Sequence, residues 1–469
     1  MKALFITIVL LIPHYALSAQ WKEKSNTVIR EQIKGSGISD KNFGIWVRKG
    51  EEVISFNGSD LFVPASLSKI PTALAFLDQF SMDKYFHTWV YKTGNISEGV
   101  LKGDLYLKGG GDPSFVNESM MMLISQLKRS DIKKIDGRIY VDESYFDQDY
   151  YSSGRQKRRV DRAYDAPVSA LSFNWNSISI YVRPGKARGH KAKVYVDPPV
   201  PFVKIINKAT TTSSSKTKLK VDRKLKGQSV EIIVSGEISK SKDEKAFFKS
   251  VGDAALWAGY NFKYFLNQLG VEYTGDIEKK VVPKTAEMIV EYDGWRMDRI
   301  VSAMSKFSNN FVAEMITKQL GIKNNAPGNI DDGLEKIVQF LKKKGWKDKN
   351  YEFVNPSGFT RENKMRAEDL GNLLYTSLND FRVSPEFLSA LPISGTDGTL
   401  KKRMRQVMKE KVRAKTGYLT GVVSLAGYLE PRGGGTPITF VFFYNGPYKN
   451  DWEVKALFDR ILWKIYQQT

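Results

Sequence analysis

Three short patterns in this chain carry side chains able to do chemistry. Ser66-Leu67-Ser68-Lys69 stands at the expected start of a helix after Pro64. The i, i+3 spacing puts a serine hydroxyl and a lysine amine on one helix face, a turn apart. A serine hydroxyl is a poor nucleophile until a neighbouring base takes its proton. Lysine serves as that base only when desolvation or nearby cations keep it neutral. Ser308-Asn309-Asn310 precedes apolar residues and Glu314, and alone it reads as a polar loop. Lys415-Thr416-Gly417 follows Val412 and Ala414 and leads into Tyr418-Leu419-Thr420-Gly421. It reads as a strand edge with a cation, a hydroxyl and a glycine that lets substrate approach the backbone. Each pattern is weak by itself. The three in this order, the last ahead of a hairpin and a terminal helix, point to nucleophilic catalysis by serine.

Other chemistries find no support. A Ser-His-Asp triad needs a histidine, and the chain has only three: His14, His87 and His190. The first belongs to the N-terminal leader, and the other two fall in zones away from the trio. Neither a Gly-x-Ser-x-Gly elbow nor a His-Glu-x-x-His pair is present, so zinc hydrolysis lacks candidate ligands, and no metal or cofactor is expected. Cysteine is absent, which excludes disulfides and thiolate metal sites. Gly109-Gly110-Gly111-Asp112-Pro113 has neither the Gly-x-Gly-x-x-Gly spacing nor a Gly-Lys-Ser/Thr ending, and reads as a tight turn.

The elements that must position the trio are spread over 469 residues, enough for two or three cores. A composition 42% hydrophobic and 26% charged excludes wholesale disorder. The formal net charge of +21 suits either an anionic partner or plain solubility in an organism with basic proteins. At the N-terminus, Lys2, the apolar run Ala3 to Pro13 and the small residues Ala16-Leu17-Ser18-Ala19 describe a secretory signal peptide cut near Ser18 or Ala19. No later stretch is long and apolar enough to span a membrane.

Along the chain, residues 22–34 have helical spacing. Phe43 to Arg48 and Val53 to Phe56 read as strands, and Pro71 predicts a kink in the helix after Pro64. Leu105 and Leu107 alternate as in a strand, and Met120 to Leu127 is helical. Residues 188–240 form a lysine-rich zone of short β runs, with Ala209 to Ser215 as a polar, low-complexity loop. Val423 to Leu429 and Ile438 to Tyr444 predict a hairpin across Arg432-Gly433-Gly434-Gly435. The last helix lines up Val454, Leu457, Phe458, Ile461, Leu462 and Ile465 as a core face against it.

With these residues in place, the chain resembles the D-Ala-D-Ala carboxypeptidase/endopeptidase group of low-molecular-mass class C penicillin-binding proteins, the penicillin-binding protein 4 type. Ser308 follows Ser66 by 242 positions. This family inserts two domains there, whereas compact β-lactamases have a far shorter gap. Further matching stretches are Pro64-Ala65-Ser66, Gly103 to Leu107, Gly109 to Pro113, Asp142 to Phe146, Asn355-Pro356-Ser357-Gly358-Phe359-Thr360-Arg361, Gly395 to Leu400, and Lys415 through Leu429. The resemblance implies an α+β fold: a β-lactamase/transpeptidase-like domain, with an antiparallel sheet flanked by helices, and two smaller inserted domains. The expected boundaries are a leader over 1–19, the catalytic domain over 20–84 and 252–469, an inserted domain over 85–187, a basic β domain over 188–240, and a return linker over 241–251.

The resemblance also implies roles. Ser66 is the acylated nucleophile and Lys69 its base. Ser308 with Lys415 passes a proton to the leaving nitrogen, and Asn310 holds the substrate's peptide carbonyl. Lys415 and Thr416 bind the terminal carboxylate beside Gly417, and the backbone N–H groups of Ser66 and Tyr418 form the oxyanion hole. Arg361 matches a family arginine near the substrate's acidic groups. The implied substrates are peptidoglycan peptides, in the periplasm or outside the cell, with β-lactam antibiotics as covalent inhibitors. Two departures stand out. Tyr418 replaces a small hydroxyl residue, and the 188–240 zone is short and lysine-rich. The motifs locate no counterpart of the deacylating glutamate of class A β-lactamases. The competing readings are a β-lactamase of the same fold and a non-enzymatic module docking its basic zone on anionic wall polymer. Nucleic acid is a poor partner for an exported chain without a recognition motif.

Overall fold

A computed structural model describes the backbone of residues 14–151, 161–323 and 326–469, and side chains from residue 20 onward. The leader expected over 1–19 lies outside the residues whose side chains are described. The chain divides into two compact units. One comprises the chain up to Leu67 with Trp346–Glu352 and Asn363–Thr469, the other Ser68–Gly345 with Phe353–Glu362. In chain order, the elements that matter most for the site are α1 (His14–Gly35), β1 (Phe43–Lys49), β2 (Glu52–Phe56), α2 (Lys69–Gln79), α3 (Asn310–Leu320), β3 (Val412–Leu419), β4 (Val422–Leu429), β5 (Ile438–Asn445) and α4 (Asp451–Gln467). No helix among the described residues is long and apolar enough to cross a membrane.

The first unit is built on one antiparallel sheet of order β2-β1-β5-β4-β3. Every residue of β4 is buried, and apart from the hydroxyls of Ser424 and Tyr428 it is apolar, as expected of a strand covered on both faces. On one face, the predicted stripe Val454, Leu457, Phe458, Ile461, Leu462 and Ile465 of α4 shares a core with Ile29 and Ile33 of α1 and with Val423, Leu425, Phe440 and Phe442 of the hairpin. On the other, helix Ala367–Leu378 packs through Gly371 against the Trp46 ring, and the Tyr428 hydroxyl donates to the Leu374 carbonyl at 2.9 Å. The α+β arrangement with a helix-flanked antiparallel sheet is therefore present, and the predicted hairpin and terminal helix are its closing elements. β3 is an edge strand, so one side of its backbone is left unpaired by the sheet.

In the second unit, α2 is buried from Lys69 to Leu77. Pro71 sits in its first turn, where a backbone N–H has no intrahelical acceptor to lose. The preceding turn, Ala65–Ser68, is a 3-10 helix. A five-stranded sheet runs in the order Ile277–Lys279, Ile139–Asp142, Leu105–Gly109, His87–Lys92, Glu287–Asp293. Its core takes in Leu105, Leu107, Val141 and Val290 together with Leu256, Trp257 and Phe262 of helix Ala254–Gln268. Strands well beyond residue 252 thus complete the sheet begun at His87.

The lysine-rich zone contains the predicted β runs, and it and the segment after it each hold one strand the sequence hid. Thr210–Thr212, expected within a loop, is a strand held by parallel pairing with Glu237–Ser239. Residues 241–251, expected as a linker, contain strand Lys245–Ser250, which pairs with Ser177–Arg183. Both are fixed by a distant partner rather than by local apolar pattern.

The triple glycine, expected as a tight turn, instead ends strand Leu105–Gly109 and gives the Gly110 and Gly111 N–H groups to the His87 and Ala170 carbonyls at 2.9 Å, and the chain turns just after it, at Pro113–Ser114. Gly111 has φ +76°, and the Asp112 Oδ1 that follows accepts from the Ser114 backbone N–H at 2.8 Å and from its hydroxyl. Burial pushes the Asp112 carboxyl up to about 7, against the two Ser114 hydrogen bonds that lower it. A methyl group at Gly294 would lie 2.4 Å from that carboxylate, so the turn and the chain before Trp295 fit only with glycine there.

Candidate active site

The nucleophile candidate sits on a strained turn. Ala65, fully buried, has φ +48°, a left-handed conformation uncommon for a residue with a side chain. The Leu67 N–H donates to the Pro64 carbonyl at 3.2 Å and closes the 3-10 turn that carries Ser66. The Ser424 hydroxyl of β4 donates to the same carbonyl at 2.7 Å, tying the turn to the sheet. Gly417 of β3 pairs with Ser424. A methyl group at Gly417 would lie 2.1 Å from Ser424 Oγ, 2.7 Å from Pro64 O and 3.1 Å from Ser66 N. Only glycine lets β3 come this close to the Ser66 backbone N–H.

Alternation places Lys415 on the same face of β3 as Gly417. Lys415 is 1% exposed and donates to the Thr416 carbonyl at 2.8 Å. Burial pushes its ammonium down to about 7. The hydroxyls of Thr416 and Thr399 are 2.8 Å apart, so the Gly395 to Leu400 segment braces the motif. Tyr418 is 46% exposed, with the Lys455 ammonium 3.8 Å from its ring centroid.

In the second unit the other two motifs meet. Lys69 opens α2, is fully buried, and donates to Asn310 Oδ1 at 2.7 Å and to the Ser357 carbonyl. Asn310 opens α3, because Asn309 caps that helix by accepting from the Val312 N–H at 3.4 Å. Ser308, just before the cap, has φ +54°, a second strained non-glycine position among the motifs. The Asn310 side-chain amide also donates to the Tyr164 carbonyl at 3.4 Å.

Several residues that position this cluster carried no role in the sequence reading. The Ser357 hydroxyl donates to Asn355 Oδ1 at 2.8 Å and to Glu314 Oε1, fully buried one turn into α3, at 3.1 Å. Thr72 of α2 donates to the Pro356 carbonyl at 2.9 Å. These bonds fix the Asn355-Pro356-Ser357 loop whose carbonyl receives Lys69. The stretch was visible as a matching segment, but nothing local marked Ser357 as a partner of Lys69. Arg361, on the same loop, is exposed.

Among the described residues, His87, Glu291 and Asp293 have metal-ligand types within reach of one another. The ring of His87 faces Asp293 at 2.9 Å, and Glu291 accepts the Trp89 indole N–H at 2.7 Å. No residue of the three motifs belongs to this group. The first unit thus offers a serine hydroxyl with a buried lysine and a backbone donor at a strand edge, and the second offers a buried lysine held by an amide. Such a set serves attack on a carbonyl and stabilisation of the resulting oxyanion.

Comparison with known proteins agrees in extent and in kind. The profile of the D-Ala-D-Ala carboxypeptidase 3 (S13) family matches residues 26–461. A D-alanyl-D-alanine carboxypeptidase of Actinomadura sp. (strain R39) is 28% identical over 396 residues, covering 81% of this chain and 73% of its own length. A D-alanyl-D-alanine carboxypeptidase of Haemophilus influenzae is 24% identical over 419 residues, covering 87% of this chain and 86% of its own. The crystal structure of penicillin binding protein 4 from Haemophilus influenzae shares the fold, with a TM-score of 0.78 at 23% identity over 94% of this chain and 98% of that one.

Proposed function

This chain belongs to the D-Ala-D-Ala carboxypeptidase 3 (S13) family, and on that footing we propose that it hydrolyses D-alanyl peptides of peptidoglycan through an acyl-enzyme on Ser66. It is a serine-type hydrolase that removes terminal D-alanine, opens D-Ala cross-links, or does both, and penicillin acylates the same serine. The observation that carries this reading is the hydrogen bond from Lys69 to Asn310, which joins the first two motifs.

In the proposed mechanism Lys69 takes the Ser66 proton and the hydroxyl attacks the D-alanyl carbonyl. The Ser66 and Tyr418 N–H groups hold the oxyanion, which fits the close approach of Gly417 to Ser66 N. Ser308 and Lys415 hand a proton to the leaving nitrogen. A lysine that burial brings to about 7 can both give and accept a proton near neutral pH. Asn310 orients the substrate's peptide carbonyl, Lys415 and Thr416 receive its carboxylate, and Arg361 meets its acidic groups. Water then releases the acyl group. The leader over 1–19 takes the enzyme to the periplasm or beyond.

The test is direct. A fluorescent penicillin should label the protein covalently, and Ser66→Ala should abolish the label; undiminished labelling of that variant sinks the assignment. Digestion of purified peptidoglycan separates the two activities: loss of cross-linked dimers marks an endopeptidase, loss of terminal D-alanine a carboxypeptidase.

A second, compatible reading concerns the lysine-rich zone. Residues 188–240 hold twelve lysines and arginines against four acidic residues. Lys218, Lys220, Lys224 and Lys226 are exposed along one strand. This charge supports docking on anionic wall polymer. Binding that ignores added salt would count against it.

A further inference from the structure

The edge strand β3 runs out at Leu419 beside a patch of exposed rings. Tyr418 is 46% exposed, Tyr448 65% and Trp452 83%. Tyr448 begins the 3-10 turn Tyr448–Asn450, which continues directly into α4. Tyr448, Trp452 and Lys455 therefore fall at i, i+4 and i+7, on one side of that helix. Lys455 ties this side to β3, with its ammonium 3.8 Å from the Tyr418 ring centroid. Asp451, buried at the helix start, accepts the Gly421 N–H at 3.0 Å and pins the β3–β4 turn. Desolvation first, and then the neighbouring Asp451 carboxylate, push the Tyr418 phenol up. The patch is anchored to β3, yet its two outer rings are left in solvent. Burying such aromatic rings is favourable, so a cluster kept exposed marks an interaction site.

We propose that Tyr448 and Trp452, with Lys455 at their edge, form a platform for sugar rings of the glycan to which the peptide substrate is attached. This rests on the reading of the chain as a hydrolase of wall peptides. The occupant must be flat-faced and amphipathic, and continuous with a peptide laid along β3. A pyranose meets these demands. Its C–H face lies on an aromatic plane, while its hydroxyl and acetamido rims accept from an indole N–H or an ammonium. Lys449 and Lys455 add positive charge beside the rings, which suits the carboxylates that such a polymer carries.

The experiment uses the full chain and its Tyr448→Ala, Trp452→Ala and doubly substituted forms. The probes are soluble N-acetylglucosamine oligomers, polymeric peptidoglycan, cross-linked peptides freed of sugar, and a small D-Ala-D-Ala peptide. We expect the sugar oligomers to perturb tryptophan fluorescence in the native chain and not in Trp452→Ala. The KM on polymeric peptidoglycan should rise about fivefold in each single variant, with kcat unchanged. The rate on the small peptide and the speed of penicillin labelling should stay at the native level, which also reports an intact fold. Unchanged KM on the polymer in the double variant overturns the proposal, as does an absent response of the native chain to the oligomers. If sugar-free cross-linked peptides lose rate as much as the polymer, the occupant is peptide and the sugar assignment falls. Failure of the native chain to take penicillin would instead strike the hydrolase reading, since sugar binding is read independently of it.

Discussion

The ammonium of Lys69 lies 2.7 Å from Oδ1 of Asn310, although 241 residues separate them in the chain. Asn310 is held there by its place at the first turn of α3, and Lys69 by its place at the first turn of α2. Replacing Asn310 with alanine removes one acceptor from a fully buried lysine. Acylation by penicillin should slow about 100-fold, the scale of losing one positioned polar group in an active site. Asn310→Asp should also be slow, because a carboxylate there favours the charged lysine, which cannot act as a base. Stopped-flow labelling of both variants checks this, and native rates in either would contradict the proposed role of Lys69.

Gly417→Ala should be severe. The new methyl group meets Ser424 Oγ at 2.1 Å, the Pro64 carbonyl at 2.7 Å and Ser66 N at 3.1 Å. The first contact can relax by a rotamer change, but the other two are backbone. Expected are a stability loss of about 1–3 kcal/mol and a much larger loss of acylation, since β3 must shift away from the Ser66 turn. Truncating Ser424 as well should recover part of the stability and little of the activity. Denaturation and labelling, measured side by side, read the two effects separately.

Burial depresses Lys415 from its ordinary 10.5 to about 7. Between those values the unfolded chain binds more protons than the folded one, so stability rises with pH across that window and falls as pH drops through 7. Lys415→Met removes this dependence. The variant should be the more stable protein at pH 7, and its advantage should shrink steadily towards pH 10. Chemical denaturation at several pH values across this range tests the sign.

Asp112 titrates in the opposite sense. Its folded value is about 7 against an ordinary 3.8, so the folded state holds the proton longer. Stability therefore falls as pH rises from about 4 to 7, by at most about 4 kcal/mol. Asp112→Asn keeps an acceptor for the Ser114 N–H and carries no charge. Its unfolding midpoint should change less between pH 5 and pH 7.5 than that of the native chain. An equal change in both proteins would mean that Asp112 is not the group responsible.

Much of this architecture is legible in the sequence because its signals are local. The β4–β5 hairpin and α4 are long apolar elements bounded by turn residues, and their burial follows from pattern alone. The spacing of Ser66 and Lys69 survives for the same reason. Thr210–Thr212 and Lys245–Ser250 are polar or lysine-flanked and become strands only because a partner strand supplies their hydrogen bonds. Within the site, the motifs announced their side chains but not their supports. Ser357 reaches Glu314 across 43 positions, and Ser424 reaches Pro64 across 360. No window of sequence shows such pairs. The left-handed backbone of Ala65 and Ser308 is equally silent, since nothing about alanine or serine predicts it.

The sheet order places β5 at its centre, paired on one side with β1, where Gly44 faces Phe443. A strand far further along the chain, Ile438–Asn445, is thus the one that joins β1 and β2 to the rest. A ribosome must deliver the chain through Asn445 before this sheet can close, and until then β1 and β4 each keep an open edge. The long wait between partners favours slow assembly and a need for protection on the way. It also acts as a timer: a chain cut short before Ile438 has no central strand to set β3 beside Ser66, so the hydrolase is withheld until that strand has been made.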